Sequence, residues 1–462
     1  MVFSSTVFIF CFLPIVLLIY YGFLRSIKSR NIFLFIASLI FYAWGEPLYV
    51  LLMILSILCN WKCGLKIGNE REKKKWMIGG ICYNLLVLFI FKYLAFFCQP
   101  ILNLLGVEKN IDIALPIGIS FYTFQAISYL VDVYWERGKA QKNILNLGLY
   151  IALFPQLIAG PIVRYETIEK EISERSVCAV DFKRGIERFI VGLAKKCILA
   201  NNLAYVVDYS WNNVGHQTVG TAWLGAFVYV LQVYFDFSGY SDMAIGLGQM
   251  FGFHFLENFK HPYIATSITD FWSRWHISLS SWLKDYIFTP LSLNRNFRKK
   301  IRNKNVRMFI ALFVVWFVTG LWHGASWNFV MWGMLYFVLL MLEKNTSLSK
   351  MPKWIGHIYV IINIVWINVF FRAKSISEAL LYLKDMVGVP SSSAETNFLL
   401  YANAAKGYIL LGVLACFPWG KYVKEKFDVP AWVGDVVYML VFLVALTYMI
   451  QNAYNPFIYF NF

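Results

Sequence analysis

The sequence predicts an all-α polytopic membrane protein, and three observations carry that reading. Of the 462 residues 59% are hydrophobic and only 15% are charged. Mean hydropathy is +0.57, and apolar runs of helix length recur along the chain. Together these exclude a soluble protein. Hydrocarbon offers no partner for backbone N–H and C=O groups, so such runs must close their hydrogen bonds internally as helices. A single integral-membrane domain, 1–462, is expected, because the longest polar stretches, 163–181 and 381–399, are too short to bury a core of their own.

Spans are expected at about 5–24, 32–43, 48–62, 76–98, 115–135, 144–162, 186–205, 220–250, 308–342 (two helices), 355–371, 405–418 and 431–450. A straight crossing takes roughly 20 residues, so the reading is about eleven transmembrane helices, with the shorter segments tilted, broken, re-entrant or interfacial. The first run, Val7 to Tyr21, lacks a basic leader and a small-residue cleavage pattern, which makes it a retained span and not a secretory signal. The eight cysteines lie mostly in apolar runs, with Cys59 and Cys63 one helical turn apart. No Cys/His spacing suits zinc, so they read as buried, reduced thiols and no metal is expected.

Charge sets the orientation. Arg25, Lys28 and Arg30 follow the first helix, Lys62 to Lys75 brings six basic residues, and Arg137, Lys139 and Lys142 follow the helix ending at Trp135. Arg295 to Arg307 adds seven more, and Lys421, Lys424 and Lys426 another three, towards a net charge of +16. Placed on one side, the cytoplasmic one, these clusters put the N-terminus outside in a multi-pass topology. A basic cytoplasmic rim attracts anionic lipid and also draws in a polyanionic donor such as a coenzyme A thioester. Nothing supports nucleic-acid binding.

Between Phe251 and Arg307 the chain turns polar and rich in Trp, Arg, His and Ser. Thr269 or Asp270 caps an expected helix with Trp272, Trp275 and Leu279 on one side and Arg274, Ser278, Ser281 and Asp285 nearer another. Helical spacing would bring Trp272 to His276 and Ser281 to Asp285. Two readings stay open: an interfacial helix with snorkelling charges and an aromatic belt, or the cytoplasmic mouth of a polar cavity. In the second, Arg274 and Lys284 serve phosphate, and His276 serves a proton or a hydrogen bond. Further on, His323 sits in Phe317-Val-Thr-Gly-Leu-Trp-His-Gly-Ala-Ser-Trp-Asn-Phe-Val-Met-Trp, with no charged residue from Ala311 to Leu335. An imidazole there is either a histidine satisfied inside a helix bundle or a base that takes a proton near neutral pH.

The run Phe271-Trp-Ser-Arg-Trp-His-Ile-Ser-Leu-Ser-Ser-Trp-Leu-Lys-Asp-Tyr-Ile-Phe-Thr-Pro-Leu, followed by Leu321-Trp-His-Gly-Ala-Ser-Trp, resembles the signature pair of the membrane-bound O-acyltransferase family. Leu115-Pro-Ile-Gly-Ile-Ser-Phe-Tyr-Thr-Phe-Gln, Gln156-Leu-Ile-Ala-Gly-Pro-Ile-Val-Arg-Tyr and Tyr234-Phe-Asp-Phe-Ser-Gly-Tyr-Ser-Asp-Met-Ala-Ile-Gly extend the resemblance over nearly the whole chain. They are similar to the branch of alginate and peptidoglycan O-acetyltransferases. The resemblance implies a ring of tilted helices around a central tunnel, a signature region at 251–342, and His323 and His276 as the two motif histidines. It implies transfer of an acetyl group from a cytoplasmic thioester, acetyl-CoA, across the membrane towards an extracellular polysaccharide or cell-wall polymer, with no bound cofactor. An extracellular hydrolase-like partner of the SGNH type would complete that transfer.

A hydroxyl needs a positioned base to attack a thioester, which suits His323, while Trp322, the backbone near Gly324, or His276 would steady the oxyanion. Trp275, Trp282, Lys284, Asp285, Arg274, Trp322, Arg164 and Asp236 are candidates for donor binding or tunnel lining. For Asp236 and Asp242, pairing with Arg or with backbone amides at a helix break is the competing reading; for Arg164, it is a stop-signal arginine. The tail, 452–462, ends Asn455-Pro-Phe-Ile-Tyr-Phe-Asn-Phe and resembles an acyl-acceptor peptide, which would make Tyr459 an acetyl carrier; the alternative is an aromatic interfacial anchor. His216, His254, His261 and His357 read as loop or interface residues. The competing functions are a D-alanyl transferase for teichoic acid with a carrier-protein thioester, a transporter, and a non-catalytic scaffold. Repeated halves, expected of a transporter, are not visible.

Overall fold

The computed structural model describes residues 1–462 except 70, 108–109, 347, 349–350, 390–395, 427–429, 452–457 and 459–462. The described residues are helical and contain no strand. Among the described residues eight helices are long and apolar enough to cross a membrane: Tyr49–Asn69, Lys73–Leu104, Ala179–Asn212, Val219–Met250, Lys304–His323, Lys353–Arg372, Phe398–Ala415 and Ala431–Gln451. Phe8–Phe23 is apolar but shorter. The expected segments at 32–43, 115–135 and 144–162 form Ile27–Ala43, Ile119–Tyr134 and Ile144–Ala152, each below the length of a straight crossing.

The chain divides into two compact units, Met1–Ile190 with Tyr240–Leu256, and Val191–Gly239 with Glu257–Phe462. The first contains α1 (Phe8–Phe23), α2 (Ile27–Ala43), α3 (Tyr49–Asn69), α4 (Lys73–Leu104), α5 (Ile119–Tyr134), α6 (Ile144–Ala152) and α7 (Tyr165–Ser173). Two polar ties run through it, the first buried and the second about one-third exposed on its arginine side. Arg175 donates through Nη1 to Asn31 Oδ1 at 2.6 Å and through Nε to the Phe251 carbonyl at 3.1 Å. Arg188 pairs with Asp242 at 2.6 Å.

The helices α8 (Ala179–Asn212) and α9 (Val219–Met250) contribute residues to both units. The second unit adds α10 (Ile268–Arg274), α11 (Ile277–Leu283), α12 (Lys304–His323), α13 (Trp327–Asn345), α14 (Lys353–Arg372), α15 (Ile376–Met386), α16 (Phe398–Ala415) and α17 (Ala431–Gln451). Burial ranks these helices. The apolar window of α9 is 72% buried and that of α8 67%, against 11% for α4, α16 and α17, so α8 and α9 are core elements while the other three offer their side chains to lipid. Leu104 of α4, Leu399 of α16 and Met439 of α17 are accordingly exposed apolar residues.

Four expectations are corrected. The segment 268–283 is not one helix: it breaks at Trp275–His276 into α10 and α11, with His276 in the left-handed region at φ 45°. Ser267, and not Thr269 or Asp270, caps α10 by accepting the Asp270 N–H. Trp272 and His276 are therefore not stacked one turn apart, since one left-handed residue redirects the chain. The cysteines are all free thiols, but only Cys197 and Cys416 are buried, whereas Cys11, Cys82 and Cys178 are exposed.

Candidate active site

His323 is the last residue of α12, where Gly324 leaves the helix in extended conformation and Ser326, also extended, immediately precedes α13. The hairpin is tight because it is glycine-on-glycine: a Cβ on Gly320 would sit 2.6 Å from the Phe329 carbonyl oxygen, and one on Gly333 2.5 Å from that of Trp316. Close approach of the two backbones thus fixes where α12 delivers its terminal imidazole. The ring is 3% exposed. It meets Trp322, Trp332 and Phe371 edge-on, with centroids at 4.9, 4.9 and 5.1 Å. Phe371 is held by Asn328, whose Nδ2 donates to the carbonyls of Phe370 and Ala373 at the end of α14.

His323 lines a cavity of about 20 Å³ together with Val233, Tyr263, Phe271, Trp272, Trp275, Trp332, Tyr336, Ile364, Asn368 and Phe371. That volume holds about one water molecule, so it is much narrower than the tunnel implied by the resemblance. A neighbouring apolar pocket of about 380 Å³, formed by α9, α14 and α16 with the segment around Tyr263, shares Tyr263 as a wall. Its lining also includes His357 and Cys416.

His276 is 1% exposed and stands before α11. Its ring contacts Phe237 at 4.7 Å and Trp322 at 5.9 Å, so Trp322 touches both motif histidines. Asn258 fixes its protonation pattern. Asn258 Oδ1 accepts the backbone N–H of Ser278 at 3.1 Å and the Ser278 hydroxyl at 2.9 Å. A backbone N–H only donates, so the atom facing it is the amide oxygen, and His276 Nδ1, 3.2 Å from the same oxygen, must carry its proton. Nε2 then presents a lone pair and has no hydrogen-bond partner among the described residues. Burial holds this imidazole far below its ordinary value, at about 3, which keeps it neutral at physiological pH. A neutral ring in this tautomer accepts a hydrogen bond at Nε2, so it does not act there as an oxyanion donor.

The remaining predicted residues divide. Trp275 lines the His323 cavity and Trp322 bridges the two histidines. Arg274 instead binds Asp270 at 2.7 Å, an i,i+4 pair about one-third exposed, and is absent from the cavity wall. Trp282 is buried against Tyr286 at 4.9 Å, while Lys284 is exposed and neither it nor Asp285 lines the cavity. Arg164 belongs to the first unit and lies 3.7 Å from Glu166. Asp236 is buried on α9 and pairs with Lys196 at 2.5 Å. Asp236 thus pairs with a lysine, where an arginine or backbone amides were expected, Asp242 pairs with Arg188, and α9 shows no helix break at either. Tyr459 lies outside the described residues.

His254, His261 and His357 each engage a partner away from His323: Glu171, the Cys416 carbonyl and the Ala265 carbonyl. Among the described residues no cluster of His, Cys, Asp or Glu suits a metal ion.

Three positioning residues carried no readable signal as single letters: Asn258, Asn328 and Glu343. Glu343, buried on α13, accepts the N–H of Ile268 and both the N–H and the hydroxyl of Thr269, at 2.9 and 2.7 Å. It thereby caps the positive end of the short helix that carries Trp272.

The sequence profile of the membrane-bound O-acyltransferase family matches residues 137–377. A protein of Azotobacter vinelandii described as a "probable alginate O-acetylase" is 35% identical over the full length of both chains. The peptidoglycan O-acetyltransferase of Helicobacter pylori is 31% identical over 100% of this chain and 98% of its own. The teichoic acid D-alanyltransferase of Bacillus subtilis is 28% identical over 60% of this chain and 70% of its own. With an all-helical build, a buried imidazole at the end of α12 and full-length likeness to O-acetylating enzymes, this chain belongs to the membrane-bound O-acyltransferase family and is a multi-pass membrane acyltransferase.

Proposed function

We propose that the enzyme takes an acetyl group from acetyl-CoA at the cytoplasmic face and delivers it outward for O-acetylation of an extracellular polysaccharide or cell-wall polymer. The observation that carries the mechanism is His323 on the wall of an apolar cavity, where it is the one imidazole. His323 removes the proton of the attacking hydroxyl, the oxygen bonds to the thioester carbonyl carbon, and the C–S bond breaks with the proton passing to the leaving thiolate. His276, with its lone pair on Nε2, accepts a hydrogen bond from a group near Trp322 and orients it. The hydroxyl is that of Tyr459, which becomes a phenyl acetate, and an SGNH-type extracellular partner moves the acetyl group from there to the polymer.

In this reading the N-terminus is extracellular and the basic loops face a cytoplasm that supplies a polyanionic donor. Acetyl is favoured over D-alanyl as cargo because likeness to the O-acetylating relatives runs over the whole chain, whereas likeness to the D-alanyltransferase covers 60% of it. A thioester does not fit in about 20 Å³, so the aromatic wall moves on binding. Tyr263, shared with the larger pocket, is the ring whose displacement would join the two spaces.

The test replaces His323 by Ala in cells, with membrane expression verified. Polymer-bound acetate is expected to fall by about 10²-fold or more, the scale of a lost general base. Unchanged acetylation at equal expression removes the mechanism. Tyr459→Phe keeps the aromatic ring and deletes the hydroxyl, and is expected to abolish transfer to the polymer; normal transfer by that variant rejects the carrier role.

A further inference from the structure

Among the described residues of the second unit stands a buried charge pair that the chemistry above does not use. Lys196 and Asp236, on α8 and α9, lie 2.5 Å apart with side chains 3% and 2% exposed. Desolvating two ions costs about as much as their attraction returns, and apolar residues of similar size would serve stability equally well. The pair therefore needs a reason other than stability.

The second carboxylate oxygen supplies one. Asp236 Oδ2 accepts the backbone N–H of Ile458 at 2.8 Å, across 222 residues of sequence. The Ile458 side chain packs against the apolar core of the same unit. A backbone N–H brought into an apolar interior must find an acceptor, and a carboxylate gives it a charge-assisted bond. Lys196 occupies Oδ1, which leaves Oδ2 for the incoming amide.

We propose that Asp236, held by Lys196, is the docking site for Ile458 of the protein's own C-terminal tail. It recognises the main chain at Ile458, with the isoleucine side chain supplying the apolar anchor. The consequence for catalysis rests on the reading in which Tyr459 carries acetyl: Lys196 and Asp236, by holding the amide of Ile458, are then positioning residues of the transfer. Docking itself does not depend on that reading.

The test uses the full-length protein in lipid nanodiscs and follows hydrogen–deuterium exchange of the C-terminal peptide, resolved at the Ile458 amide. Lys196→Met with Asp236→Leu keeps the buried volume and removes the acceptor without stranding a charge. It is expected to speed exchange of that amide by about tenfold or more, with the remainder of the exchange map unchanged. Lys196→Met with Asp236→Asn restores a neutral acceptor and is expected to recover part of the protection. Equal exchange in the wild type and the Leu variant overturns the proposal, as does an Asn variant no better than Leu.

A second readout separates the two readings. During turnover the Leu variant should show lower acetyl occupancy of Tyr459 and a lower kcat with the donor KM unchanged. Tyr459→Phe should lose transfer while keeping Ile458 protected. If Tyr459→Phe transfers normally and the Leu variant still loses protection, the carrier reading fails and docking stands.

Discussion

His276 shows how much a single amide decides. Its neutral form with the proton on Nδ1 follows from Asn258, which is oriented in turn by the Ser278 N–H. Asn258→Leu is expected to release that tautomer and lower kcat by about tenfold, the scale of one lost hydrogen bond, with little change in donor KM. Asn258→Asp keeps the acceptor but adds a negative charge beside the ring, so the imidazole pKa should rise from about 3 and an acidic limb should enter the pH–rate profile. A profile identical to wild type rejects the contact. Stability has a defined sign as well. The folded state holds His276 at about 3 against an ordinary 6.5, so the unfolded chain binds the extra proton between those values. The contribution of this residue is complete above about pH 6.5 and is lost as pH falls towards 3, readable as a declining Tm in acid.

At the scale of elements, the α12–α13 hairpin sets the position of His323 through Gly320 and Gly333. Gly320→Leu puts a side chain where a backbone carbonyl stands 2.6 Å from the Cβ position. Overpacking of this kind costs about 1–3 kcal/mol, and it should both lower Tm and reduce kcat by displacing the imidazole; full activity would show that the hairpin tolerates separation. Glu343→Gln preserves shape but removes the charge at the start of α10, at an expected cost of about 1 kcal/mol in thermal unfolding. Periodicity located most of these helices, because a hydrophobic run is a local property. It failed at 268–283, where apolar spacing continues through Trp275 and His276 although the backbone does not. The break there is made by hydrogen bonds from Asn258–Lys260 to residues 274–277, as in Lys260 N–H to the Arg274 carbonyl and Ile277 N–H to the Asn258 carbonyl. Their partners are over a dozen residues distant, beyond the reach of a helical pattern.

For the whole molecule, the proposed orientation predicts that a tag before Met1 is reachable from outside intact cells and that the basic stretch Arg295 to Arg307 is not; the reverse labelling pattern rejects it. Membrane class, acyltransferase family and the singular setting of His323 were all legible in the amino-acid order, because each depends on composition, local hydropathy or a contiguous motif. Tertiary structure alone decided that Arg274 serves Asp270, that Asn258 sets the state of His276, that the space at His323 holds about one water molecule, and that Asp236 meets Ile458. The physical reason is range. Hydropathy acts residue by residue along the chain, whereas a buried polar group takes whichever partner packing brings within 3 Å, and that partner is set by the folded backbone.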